Sequence, residues 1–260
     1  MPSANRMNVA SGVGLNRGSL YPLAVMVVAS FLTSAPLAVT ISPVKVALSR
    51  AHPVVTVTVT NDADLPLILQ HRVLAWTQVD GEDHLEESTD LLVAPAIAEI
   101  GPRGTQIFRV TQRRPTVALA ERAYRLVLDD ISATEGQSAV SGVTFVLSHR
   151  LPVFVAGTGK VGPKPHLETC PDSAEPGCVR LQNDGDQYVQ VRSLIVHGRA
   201  WQEDLEAGQR ILAGAWKQWT FASAPASAGR LTITAETSAG RVSVELPNPG
   251  RLPTGSASHE

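Results

Sequence analysis

The stretch VVTVTVTN (54–61) alternates valine and threonine along most of its length. A period of two puts one residue type on each face, as in a strand with one side buried. The β-branched content supports the same reading. The segment NDADLP (61–66) then closes it as a turn. Working outward, LILQHRVLAW (67–76) reads as a second strand, and QVDGEDH (78–84) as a polar turn carrying an Asp-Gly step. LLVAP (91–95), a turn at IGPRGT (100–105), and the strands QIFRVTQR (106–113) and AYRLVLDDI (123–131) follow. A loop, SATEGQSAVSG (132–142), leads into SGVTFVLSHRLPVFVA (141–156). About seven strands at this spacing predict an antiparallel sandwich of immunoglobulin type, and no helical stretch of convincing length interrupts them.

The segment GTGKVGPKP (157–165) breaks the pattern with glycine, proline and lysine and reads as a linker. Beyond it CVRLQN, YVQVRSLIVHG, KQWTFA, GRLTITAET and GRVSVELP predict a second, smaller β-sandwich. No internal repeat is apparent. At the N-terminus, Arg6 and Arg17 precede the apolar run LYPLAVMVVASFL (20–32), and small residues follow in TSAPLA (33–38). This order is that of a cleaved secretory signal. The run is short for a membrane span of about 20 residues. The expected organisation is a signal peptide over 1–38, a first domain over 39–156, a linker over 157–165, a second domain over 166–250 and a disordered tail over 251–260.

The 260 residues carry a net charge of -2, so the sequence gives no electrostatic case for nucleic acid as partner. Cys170 and Cys178 are the only cysteines. In an exported chain they predict a local disulfide; a two-ligand metal site is the alternative, but no second Cys or His pair completes it. The acidic run DGEDHLEESTD (80–90) lacks calcium-loop spacing and reads as a solvated hairpin tip. No G-x-S-x-G, H-E-x-x-H or phosphate-binding glycine loop occurs, so no enzyme, metal or cofactor is expected. Trp76 reads as a core tryptophan of a sandwich. Trp201, Trp216 and Trp219 read as packing residues or as stacking platforms for carbohydrate.

In 141–156, Val143, Phe145, Leu147, Leu151, Val153 and Val155 share one parity, and Thr144, Ser148 and Arg150 the other. Such a strand exceeds the usual five or six residues or so. Its apolar row belongs either to the protein's own core or to a partner that adds a strand to this edge.

ISPVKVALSR (41–50), VTVTVTND (55–62), LLVAPAIAEIGPRGTQIFRVTQR (91–113), ERAYRLVLDDI (121–131) and VTFVLSHRLPVFV (143–155), in this order, resemble the periplasmic chaperones of the chaperone–usher pilus pathway, the PapD-like family. TQVDGEDHL (77–85) is similar to the branch that builds simple surface fibres. The resemblance implies a periplasmic protein that lends a strand to an incomplete pilus subunit, prevents its aggregation and delivers it to an outer-membrane usher. Val143, Phe145 and Leu147 match the donor positions. Lys45 matches the first of two basic residues that anchor the subunit's terminal carboxylate. Strict alignment puts Pro152 at the second place, and Arg150 lies two residues earlier on the same parity. Glu121 matches the acidic member of an interdomain ion pair, whose arginine is replaced by Ala156. The competing reading is a secreted adhesion or carbohydrate-binding module of two immunoglobulin-like domains.

Overall fold

The computed structural model describes residues 39–132, 147–170, 177–222 and 228–246. The predicted signal peptide, the donor positions Val143 and Phe145, and the tail lie outside these residues. Among the described residues the regular elements are strands, with 3₁₀ geometry only at Ser132 and Ala228, and no helix is long and apolar enough to cross a membrane.

The first sandwich comprises β1 (Val39–Ser42), β2 (Val46–Leu48), β3 (Val54–Asn61), β4 (Leu67–Val79) and β5 (Glu82–Glu87). It continues with β6 (Leu91–Ala94), β7 (Ile97–Ile100), β8 (Thr105–Gln112), β9 (Arg122–Asp130) and β10 (Ser148–Val155). One sheet has the order β1-β3-β8-β6; the other runs β2-β10-β9-β4-β5, with β7 also on β4. Inward residues of both sheets make the core: Val57 and Val59 of β3, Phe108 and Val110 of β8, Leu69 of β4 and Leu126 and Leu128 of β9 are all fully enclosed. The threonines of VVTVTVTN take the outer face, as the alternation requires. Proline marks two of the places where the chain crosses between sheets, Pro43 between β1 and β2 and Pro95 between β6 and β7. A residue without an N–H cannot extend a ladder, so β1 and β2, and likewise β6 and β7, are separate strands on different sheets. This division, and the acidic segment 82–87 pairing with β4 as a full strand, account for ten strands where about seven are predicted.

The second sandwich comprises β11 (Pro165–Thr169), β12 (Cys178–Asn183), β13 (Val189–Gly198), β14 (Trp201–Leu205), β15 (Arg210–Ile211), β16 (Trp216–Thr220), β17 (Leu231–Thr237) and β18 (Gly240–Leu246). Its sheets run β11-β12-β16 and β14-β13-β17-β18, with β15 on β13. Cys170 and Cys178 form a disulfide across the β11–β12 connection.

The two sandwiches share a feature that alternation and composition do not reveal. Asn61 and Asn183 are 1% and 0% exposed, and each opens an Asn-Asp-x-Asp turn at the end of a strand. The Asn61 amide donates to Leu65 O, Ile100 O and Gly101 O while its carbonyl accepts from Ala63 N. Asn183 donates to Gln187 O, Ile211 O and Leu212 O and accepts from Gly185 N and Lys164 N. One side chain thus satisfies several buried backbone groups where two loops meet. The last aspartate of each turn differs in use: Asp64 pairs with Arg103 at the surface, whereas the Asp186 carboxylate accepts from Val161 N and Gly162 N. The segment joining the sandwiches is therefore held from both sides, since Thr158 N and Gly159 N donate to Ala118 O and Leu119 O of the first.

Candidate functional site

Alternation along β4, β9 and β10 assigns one face of their sheet away from the first core. Cross-strand register arranges that face in rows: Trp76–Ala123–Phe154, Leu74–Arg125–Pro152, Arg72–Val127–Arg150 and Gln70–Asp129–Ser148. The first row meets the second sandwich. Trp76 and Phe154, 3% and 2% exposed, join the cluster built by Val189, Leu212 and their neighbours. Phe154 stacks on Tyr188 at 4.0 Å between ring centroids. Trp76 therefore belongs to the contact between sandwiches and not to the interior of the first, where its likeness to a sandwich tryptophan would place it. Trp201 and Trp219 pack against the second core, and the Arg180 guanidinium lies 3.9 Å from the Trp216 ring centre.

The next rows carry charge. Arg125 is half-buried, its guanidinium 3.7 Å from the centre of the Trp76 ring. Burial lowers its proton affinity, and the nearby cations Arg210 and Arg150 lower it further against the pull of Asp83. Arg150 is exposed on the adjacent row, and Lys45 is exposed one residue before β2 begins. Lys45 Nζ donates to Tyr188 Oη at 3.2 Å. Among the described residues none of these three cations forms an ion pair, whereas Arg72 is neutralised by Asp129 at 2.8 Å. The Asp129 carboxyl is held below the usual carboxylate range by the Arg72 hydrogen bond and then by the bond from Ser148. The face thus concentrates positive charge in a chain whose net charge is negative.

Glu121 stands at the same boundary. Its carboxylate accepts from Tyr188 N at 3.0 Å and its own N donates to Asp186 O at 2.8 Å. Burial pushes its proton affinity up, opposed by the Tyr188 N–H and the Lys45 charge. Its interdomain partner is therefore a backbone amide, with Lys45 the nearby cation. On the same sheet the Tyr124 phenol, buried and donating to Asp90 Oδ2 at 2.8 Å, is pushed up to about 12.

Next to the cations lies an open backbone edge. β10 pairs with β9 over its whole length, but with β2 only from Val153 to Val155. Asp130 N donates to Leu147 O, and Ala156 N to Leu48 O. In an antiparallel pair the groups alternate in direction, so the N–H and C=O of Ser148 and Arg150 point away from β9. None of these meets a neighbouring strand among the described residues. Pro152 has no N–H to offer, and pairing with β2 begins only after it. The edge borders a groove of about 280 Å³ lined by Val39, Ile41, Val44, His149, Arg150 and Leu151. Leu151 turns into the core at 4% exposure, and Leu147 is 39% exposed.

Of the site residues read from the sequence, Lys45 and Glu121 lie at the boundary between the sandwiches, Arg150 lies two rows from it on the same sheet face, Leu147 lies before the far end of β10, and Cys170 and Cys178 lie apart at the β11–β12 connection. Sequence reasoning misses Arg125. The signal for it is its parity with Trp76 and Phe154 on paired strands, which needs the register to be read.

The first sandwich thus presents a part-open strand edge beside a cationic face. Residues 38–159 match the family described as "Pili and flagellar-assembly chaperone, PapD N-terminal domain". The match covers the first sandwich, and the family it names is one of assembly chaperones. Comparison with curated proteins gives no match. Among solved structures, the fold is similar to a chain of the CsuC–CsuE chaperone–tip adhesion subunit pre-assembly complex of Acinetobacter baumannii, with TM-score 0.61, 19% identity, and coverage of 80% of this chain and 97% of that one. It is also similar to the E. coli chaperone DraB, with TM-score 0.56, 15% identity and coverage of 80% and 98%. A chain of the Salmonella enterica SafA pilin–SafB chaperone complex gives TM-score 0.56, 13% identity and coverage of 80% and 96%.

Proposed function

We propose that the chain is a periplasmic chaperone for pilus or fimbrial subunits. It binds a subunit by strand addition along β10 and its approach, keeps it from aggregating and passes it to an outer-membrane usher. The observation that carries this reading is the open edge at 148–150 lying beside three cations that form no ion pair among the described residues. Strand addition of the chaperone–pilin kind draws affinity from main-chain hydrogen bonds and specificity from alternate side chains. Ser148 and Arg150 offer the main-chain groups. Val143, Phe145 and Leu147 are the side chains that would enter the subunit's open core, each stabilising the complex by about 1.5–3 kcal/mol before ordering and association costs.

A subunit strand paired to this edge would direct its terminal carboxylate toward the cation group. Lys45 and Arg150 are the anchors proposed from the family likeness, and Arg125 adds a third. A guanidinium can grip a carboxylate through two parallel hydrogen bonds, and one held against an aromatic ring is already oriented for it. Glu121 supports the site by binding Tyr188, whose hydroxyl receives Lys45. The N-terminal signal features over 1–38 support export to the periplasm.

Co-expression with a cognate subunit tests the reading. Phe145→Asp with Leu147→Asp is expected to abolish recovery of soluble subunit while the chaperone itself stays folded. Full recovery with the double variant refutes strand addition.

A further inference from the structure

At the margin of the interdomain contact farthest along the sheet from β2, the β4–β5 turn reaches the second sandwich. Asp80 and Gly81 both have positive φ, 51° and 81°, as a two-residue hairpin turn of this twist requires. This conformation brings the Gly81 backbone flat against Trp216: a Cβ at Gly81 would lie 2.7 Å from Trp216 Cζ3. The Lys217 ammonium donates to Gly81 O at 2.9 Å and pairs with Asp83 at 3.4 Å. Three residues back, the Gln78 amide works like a strand of its own: Nε2 donates to Arg210 O and Oε1 accepts from Leu212 N, both at 2.8 Å. Nε2 also donates to Asp83 Oδ1 at 2.7 Å, which fixes the amide's orientation.

We infer that the tip of the β4–β5 hairpin is a latch that sets the angle between the two sandwiches, with Gln78, Gly81, Trp216 and Lys217 as its positioning residues. Domains joined by a short connection move relative to each other unless their contact restrains them. Here one attachment lies at Glu121, Tyr188 and Lys45, and the latch lies across the face at the other margin. One attachment alone permits a swing about itself; two separated attachments oppose it. The cations between them come from both sandwiches, Arg125 from the first and Arg210 from the second, so the latch also sets the width of the cleft they line. The inference goes beyond the subunit-binding reading and does not rest on it, because it concerns the free chain.

Pulsed dipolar spectroscopy on the full chain tests it, with spin labels at Arg109→Cys on β8 and Arg192→Cys on β13 and the native disulfide left intact. The unaltered interface is expected to give one narrow distance distribution. Gln78→Ala with Lys217→Ala, which leaves the backbone unaltered, is expected to broaden the distribution and shift its mean, and Gly81→Val to do the same by displacing the turn from Trp216. Lys217→Arg, which keeps a donor within reach of Gly81 O, is expected to retain the narrow distribution where Lys217→Ala does not. Circular dichroism establishes that each variant is folded. An unchanged distribution in the Gln78→Ala, Lys217→Ala double variant overturns the latch.

Discussion

Replacing Arg125 by methionine isolates the charge at the centre of the cleft. Methionine keeps an unbranched apolar stem over Trp76 and removes the guanidinium that now lies 3.7 Å from the ring centre. The guanidinium is half-buried and forms no ion pair among the described residues, so the variant removes a cation that other cations already disfavour. The chaperone's own stability should accordingly hold or rise by a few tenths of a kcal/mol, since the lost cation–π contact, worth about 0.5–1 kcal/mol, is offset by relief of burial and repulsion. Binding should behave in the opposite way. A hydrogen bond to a charged group contributes about 1.5–3 kcal/mol, and at about 1.4 kcal/mol per decade this is a loss of roughly 10- to 150-fold in subunit affinity.

Affinity alone does not identify the carboxylate as the partner. Calorimetric titration should therefore compare the subunit with the same subunit amidated at its C-terminus, against both the native chain and Arg125→Met. If the arginine holds the carboxylate, amidation weakens binding to the native chain far more than to the variant, and the cycle yields a coupling above about 0.5 kcal/mol. Equal weakening in both backgrounds refutes the assignment even if Arg125→Met binds poorly. The same cycle with Arg150→Met and Lys45→Met apportions the contact among the three cations.

Three further outcomes follow from contacts within the chain itself. Glu121 has its proton affinity raised by burial, so the native state binds a proton more readily than the unfolded chain; the contribution is present below the ordinary carboxylate value and is lost as pH rises through the folded one. Urea unfolding of the native chain and Glu121→Gln across pH 4–8 should show the native chain losing stability relative to the variant as pH rises, and a flat difference refutes this. Opening the Cys170–Cys178 bridge, which spans a sequence separation of 8, should cost about 2.5 kcal/mol by loop entropy, read as a lower urea midpoint for Cys170→Ser with Cys178→Ser. Asn183→Ala leaves buried carbonyls and N–H groups at the domain boundary without partners and should cost about 2–4 kcal/mol in the same assay, whereas the exposed Gln202→Ala should cost less than about 1 kcal/mol.

The sandwich architecture was legible because alternation is a local property. VVTVTVTN needs no partner to declare which side is buried, and Val57 and Val59 turn inward as it says. The Asp-Gly turn was equally local, since positive φ at two successive positions restricts the residues that fit. What the sequence hid was relational. Trp76 and Phe154 alternate correctly, yet nothing along their own strands says that the outward face is covered by a second sandwich. Arg125 in AYRLVLDDI looks like an ordinary solvated strand arginine until register sets it beside Pro152 and Leu74. The Asn-Asp-x-Asp turns are too short to register as a repeat by eye, and their likeness rests on which distant carbonyls the asparagine reaches.

The arrangement of charge gives the cleft its direction. The same sheet face contains Arg72 and Asp129 in a closed pair and, close by, Arg150 in the row of Arg72 and Arg125 in the next row, with no anion paired to either among the described residues. Arg125 is held half-buried by its contact with the Trp76 ring although Arg150 and Arg210 repel it. An incoming carboxylate reverses that repulsion at once, because each cation that destabilises its neighbour in the free chain stabilises the same bound anion. The open groups of Ser148 and Arg150 stand on the adjoining edge, so under the proposed strand addition a subunit strand would bring its terminus to the cationic part of the face. Backbone pairing without the cations would accept a strand in several registers; on the proposed reading the cations would select the register in which the subunit chain ends at the cleft.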